Sequence, residues 1–83
     1  MTDKDIGKLY AVHHGDYAGQ LFCLVTKTET TNNFLAMPEM KNIEVPNKDF
    51  SEGLDKEIIK YVETLPNDVF EVVKAQYEKN SNN

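Results

Sequence analysis

The chain has 83 residues, is 40% hydrophobic, carries a net charge of −5 and contains a single cysteine. That length supports one domain, or one domain with a tail. Such a domain buries only about 60% of its unfolded surface, and no internal disulfide can add to its stability. All nine basic residues are lysines. The charge divides as −2 over residues 1–50 (five lysines, seven acids) and −3 over residues 51–83 (four lysines, seven acids). An acidic chain without arginine lacks the planar forks that grip phosphates and read base edges, which disfavours nucleic acid as a partner. The polar start Met1-Thr2-Asp3-Lys4-Asp5 reads as no secretory signal. No apolar run approaches the roughly 20 residues that span a bilayer, so no membrane role and a cytoplasmic location are expected. Cys23 fits a reducing compartment and, lying inside an apolar run, reads as a small buried hydrophobe.

In chain order, residues 1–6 form a short polar lead. Residues 7–12 enter a strand with Leu9 and Ala11 on one face and Tyr10 and Val12 on the other. Gly15 to Gly19 is a tight loop. Leu21 to Thr26 is a second strand, apolar on both faces, and a strand of that kind is covered on both sides. The polar stretch ending in Asn32-Asn33 reads as a hairpin loop. Phe34 to Met37 is a third strand. Ile43 to Val45 is a fourth, closed by Pro46, which cannot donate to a ladder. Asn47 to Gly53 is a connector with Phe50 plugging one end of the core. Leu54, Ile58, Val62 and Leu65 recur at helical spacing, and Pro66 divides that helix from a second one bearing Val69, Val72, Val73 and Tyr77. Residues 80–83 fray. The expected fold is α+β in a single domain: about four antiparallel strands over residues 7–50, then two C-terminal helices over 54–79 packed on the sheet.

Gly15-Asp16-Tyr17-Ala18-Gly19, set between apolar strands, resembles the KOW motif of SH3-like barrels in ribosomal and transcription-elongation proteins. Ile43-Glu44-Val45-Pro46 followed by Asp49-Phe50 is similar to the last long strand and closing turn of such a barrel. The resemblance covers about residues 7–50 and implies a small SH3-like barrel and nucleic-acid binding in translation or transcription. The basic residue at the family's tip is Ala18 here, and its further glycine falls near Phe22.

Catalytic chemistry finds no constellation. His13 and His14 are neighbours on a strand and point to opposite faces, so one metal ion cannot easily take both, and no Cys/His cluster accompanies them. Glu57, Glu63, Glu71 and Glu78 alternate with lysines and read as solvated surface. No phosphate-binding glycine loop occurs. The reading is a protein without catalytic residues, metal or cofactor. Tyr61, Phe70 and Tyr77 are expected to close the helix–sheet core, whereas Tyr17, at a loop tip, has little core to enter.

The expected function is therefore non-catalytic protein–protein interaction. One form of it is a small acidic accessory or inhibitory protein, of the kind phages encode, seated on a basic surface of its partner. The expected contact residues are His14, Asp16 and Tyr17 in the loop, with Glu63 and Glu71 contributing charge from the helices. The alternative is a KOW-like nucleic-acid-binding barrel, which predicts a local lysine cluster, with Lys8, Lys27, Lys41 and Lys48 of the β-rich half as the residues that could converge. A third reading is a structural subunit that docks through one helical face.

Overall fold

The computed structural model describes residues 4–82; Met1 to Asp3 of the polar lead and Asn83 of the tail lie outside them. The elements are β1 (Lys8–Val12), β2 (Leu21–Lys27), β3 (Thr31–Met37), β4 (Lys41–Pro46), α1 (Asn47–Asp55), β5 (Ile59–Thr64) and α2 (Asn67–Ser81). The strands form one antiparallel sheet in the order β4-β3-β2-β1-β5. The fold is α+β, as its sequence pattern indicates, with two corrections. The sheet has five strands, not four. Only one helix is C-terminal, because α1 is inserted between β4 and β5 where a connector is expected.

Alternation along β1 and β2 produces two apolar faces. Tyr10, Val12, Phe22, Leu24, Phe34, Ala36 and Ile59 are buried on one, where Phe50 of α1 packs against them. Leu9, Cys23, Val25 and Leu35 are buried on the other beneath Val73, Phe70 and Tyr77 of α2. The cover anticipated over the outer face of β2 is thus α2.

The helix expected from Leu54 to Leu65 is replaced by the end of α1 and by β5. The reason is a backbone cap. Glu57 adopts a left-handed conformation (φ 60°); its N–H donates to the Leu54 carbonyl at 3.2 Å, and the Ile58 N–H donates to the Gly53 carbonyl at 2.8 Å. Those two bonds are the Schellman pattern that ends a helix. Glycine usually occupies that left-handed position, so glutamate there gives no sequence signal. Beyond the cap, Ile59 is buried beside Val12. It packs so close to Gly53 that an added Cβ would lie 2.9 Å from its Cδ1.

The β2–β3 turn also lies earlier than Asn32-Asn33. The Thr28 hydroxyl accepts the N–H groups of Thr30 and Thr31 at 3.3 and 3.0 Å, a local turn built by a threonine side chain. Asn32 is drawn into β3 and is 1% exposed. Its amide donates to Asn47 Oδ1 at 2.7 Å, and Asn47 Nδ2 donates to the Glu29 carbonyl at 2.8 Å. This chain of amides ties the turn to the first residue of α1. At the far end, Asn80 and Ser81, expected to fray, belong to α2. Asn80 Nδ2 donates to the Met40 carbonyl at 2.8 Å, and Asn42 Nδ2 donates to the Tyr77 carbonyl at 3.0 Å. The helix end is thereby fastened to the β3–β4 turn.

If the Glu57 cap stops α1, Glu57→Gly removes left-handed strain and raises stability by about 0.5–1 kcal/mol. Urea unfolding should show a higher midpoint with an unchanged slope; a lowered midpoint contradicts this account of the helix end.

Candidate functional site

The residues expected to bind a partner occupy three separate places. His14, Asp16 and Tyr17 sit in the β1–β2 loop. Glu63 lies on β5, a strand and not a helix, beside Leu9 at the other end of β1. Glu71 is on α2, over the opposite face of the sheet from α1. His13, His14 and Asp16 are exposed. Gly15 and Gly19, at φ 93° and 90°, supply the conformations that the turn requires, with open space where a side chain would stand. Tyr17 does find core: its ring meets Phe22 edge-on at 5.5 Å and it is half-buried against the α1-side cluster.

That contact begins a continuous row of rings. Phe22 leads to Phe34 at 5.4 Å, Phe34 to Phe50 at 5.4 Å, Phe50 to Tyr10 at 5.1 Å and Tyr10 to Tyr61 at 6.0 Å. The row emerges at β5. Tyr61 is 53% exposed and its neighbour Val62 is 50% exposed. Phe70 and Tyr77 close the core as expected, but Tyr61 does not. Among the described residues β5 is an edge of the sheet, pairing with β1 and no other strand, and a register irregularity between Leu9 and Tyr10 falls opposite Val62. An exposed aromatic and an exposed valine on a free edge are the features that sequence periodicity misplaced onto a helix. The signal was present, since Ile59-Lys60-Tyr61-Val62-Glu63-Thr64 is rich in β-branched and aromatic residues.

Around Tyr61 the surface is polar and structured. The Tyr61 hydroxyl and Thr64 Oγ1 are 2.8 Å apart. The Lys8 ammonium stands 5.4 Å from the centre of the Tyr61 ring. It also donates to Asp5 at 2.7 Å, and Lys27 approaches the same carboxylate at 3.7 Å. The Lys8 hydrogen bond holds the Asp5 carboxyl below its usual range, and Asp5 in turn raises Lys8. Of the four lysines that a nucleic-acid surface would gather, Lys8 and Lys27 meet, and they meet at an acid. Lys41 begins β4, the opposite edge strand, and Lys48 lies on α1.

Beside β5, α1 and the strand enclose a shallow depression of about 250 Å³ lined by Asp49, Glu52, Gly53, Lys56, Ile58 and Ile59. Glu52 is paired to Lys56 at 2.7 Å, and Glu57 faces Lys60 at 3.7 Å. Residues 47–64 hold five acids and three lysines, so this side is mildly acidic.

Among the described residues no group of three or more His, Cys, Asp or Glu is placed to hold a metal ion, and no helix is long and apolar enough to cross a membrane. Cys23 is fully buried, and burial pushes its thiol up to about 11. No known protein family matches the chain, and no curated protein or solved structure is significantly similar to it.

Two outcomes follow from these placements. Tyr17→Ala should destabilise the fold by about 1–2 kcal/mol through loss of the Phe22 contact; a thermal midpoint equal to the parent's would place the ring outside the core. Cys23 should resist iodoacetamide at pH 8 in the native protein and react once unfolded by urea. Its thiolate forms near pH 9 in the unfolded chain and near pH 11 in the folded one, so its contribution to stability is full below pH 9 and declines as pH rises to 11. Rapid native labelling would contradict its burial.

Proposed function

We propose that the protein is a non-catalytic protein-binding module whose principal contact surface is the β5 edge with the flanking face of α1. The observation that supports this reading most is the adjacent exposure of Tyr61 and Val62 on a strand with a free edge. An extended segment of a partner can add to such an edge through main-chain hydrogen bonds. Tyrosine brings large contact area at low entropic cost and is enriched where binding energy concentrates. The acids Asp49, Asp55 and Glu63 nearby favour a basic partner and speed its approach. This keeps the reading of a small acidic accessory or inhibitory protein acting on a basic surface and moves its centre from the loop to β5. Glu63 belongs to this surface. The loop residues His14 and Asp16 extend it at the other end of β1, whereas Glu71 falls outside it.

A nucleic-acid-binding, SH3-like barrel of the KOW type is the second reading. Lys8 above the exposed Tyr61 ring favours it, because single strands stack on aromatic faces beside cations. The engagement of Lys8 and Lys27 by Asp5 and the net charge of −5 place it second.

A photo-crosslinking phenylalanine analogue at position 61, in the full chain and irradiated in lysate, should give a discrete protein adduct that diminishes as salt is raised. With that partner purified, Tyr61→Ala should weaken binding at least about tenfold without lowering the thermal midpoint by more than a few degrees. Absence of a protein adduct, together with a single-stranded RNA gel shift that falls steeply with salt, would overturn the first reading in favour of the second.

A further inference from the structure

α2 has a second face that the sheet does not use. Its inner side buries Val73 and packs Phe70 and Tyr77. Its outer side exposes Val72 at 71%, the most exposed large apolar side chain among the described residues. Glu71, Val72, Ala75, Gln76 and Lys79 line an open depression along this side. The row Glu71, Ala75, Lys79 follows the four-residue ridge along which helices interdigitate. It places an acid one turn before a small residue and a base one turn after it. Neither Glu71 nor Lys79 makes an ion pair within the chain among the described residues.

That arrangement is complementary to itself. When a second helix of the same sequence runs antiparallel, with a two-fold axis at Ala75, each Glu71 lies level with the other copy's Lys79. The small Ala75 side chains allow close approach at the axis, and the Val72 side chains leave water. A two-fold interface requires one patch to match itself in this way. We infer that the outer face of α2 is a homodimer interface, with a second copy of this chain as its occupant, joined by an antiparallel α2–α2 contact and two Glu71–Lys79 ion pairs. The surface lies on the opposite side of the sheet from the α1–β5 face, so the dimer would leave both β5 edges free.

The patch is small, and net charges of −5 on each copy repel. The dimer therefore falls in the weak class, with dissociation on the order of tens to hundreds of micromolar. The test is sedimentation of the full chain from about 10 µM to 1 mM at moderate salt. The parent should move from the 9.5 kDa monomer towards twice that mass. Glu71→Lys and Lys79→Glu should each stay monomeric, because each sets like charges opposite one another. An equimolar mixture of the two should associate again, since one copy then offers only lysines and the other only glutamates at these positions, and the double reversal should behave as the parent does. Both sites are exposed, and far-UV circular dichroism checks that the helix persists. If a reversal unfolds the chain, Glu71→Gln and Lys79→Gln should still weaken association several-fold. A parent that stays monomeric to 1 mM, self-association indifferent to both reversals, or a mixture that fails to associate would each overturn the inference.

Discussion

The central strands of the sheet are greasy on both sides, and that constraint dictates the rest of the molecule. In β2, Phe22 and Leu24 point one way and Cys23 and Val25 the other, and all four are buried. β3 repeats the pattern with Phe34 and Ala36 against Leu35. Covering an exposed Leu, Val or Phe is worth about 1.5–3 kcal/mol. Leaving Leu9, Val25 and Leu35 bare would therefore forfeit an amount comparable to the about 5–15 kcal/mol by which whole domains are stable. A sheet with two such faces cannot stand as a layer. It needs a cover on each side, and Phe50 of α1 and Val73 of α2 mark the two.

The chain meets this need by splitting its helices between the faces. α1 and β5 close the side of Tyr10 and Phe34, and α2 closes the side of Cys23. Polar groups fix where the covers sit. Asn47 joins the start of α1 to the β2–β3 turn, while Asn42 and Asn80 join the end of α2 to the β3–β4 turn. Short asparagine side chains suit this work, since each amide both donates and accepts. With both sheet faces occupied, the surfaces left exposed include the outer edge of β5, the outer side of α2, and the loop tip at His14 and Asp16.

The sequence was readable where burial and periodicity agree. β1 and β2, with their alternating faces, the core role of Phe50, the cover required over β2, and the stretch of α2 carrying Val73 and Tyr77 follow from apolar spacing, whereas Val69 and Val72, expected on that same apolar face, are exposed. It was misleading where a local backbone device overrides spacing. Leu54, Ile58, Val62 and Leu65 fall at helical intervals, yet the left-handed turn at Glu57 ends α1 between the first two of them. Asn32-Asn33 has turn chemistry, yet Thr28 makes the turn and Asn32 is buried in β3. The same device governs the candidate site. Helical spacing over residues 59–64 implies a core position for Tyr61, which stands exposed on β5, and the loop position of Tyr17 implies exposure, whereas its ring leans on Phe22. Glu63 and Glu71 are exposed, as their charge pattern indicates, but that one stands on an edge strand and the other on a helix is a property of topology that no local pattern encodes.

Native-state hydrogen exchange on the full chain tests the two-sided burial of β2 and β3 most directly. The amides of residues 22–25 and 34–36 should exchange only through global unfolding, with opening free energies equal to that from denaturant titration. Those on the free edge of β5 should exchange through smaller openings. If the β2 and β3 amides instead open locally, at free energies well below the global value, the sheet is not held from both sides and the account fails.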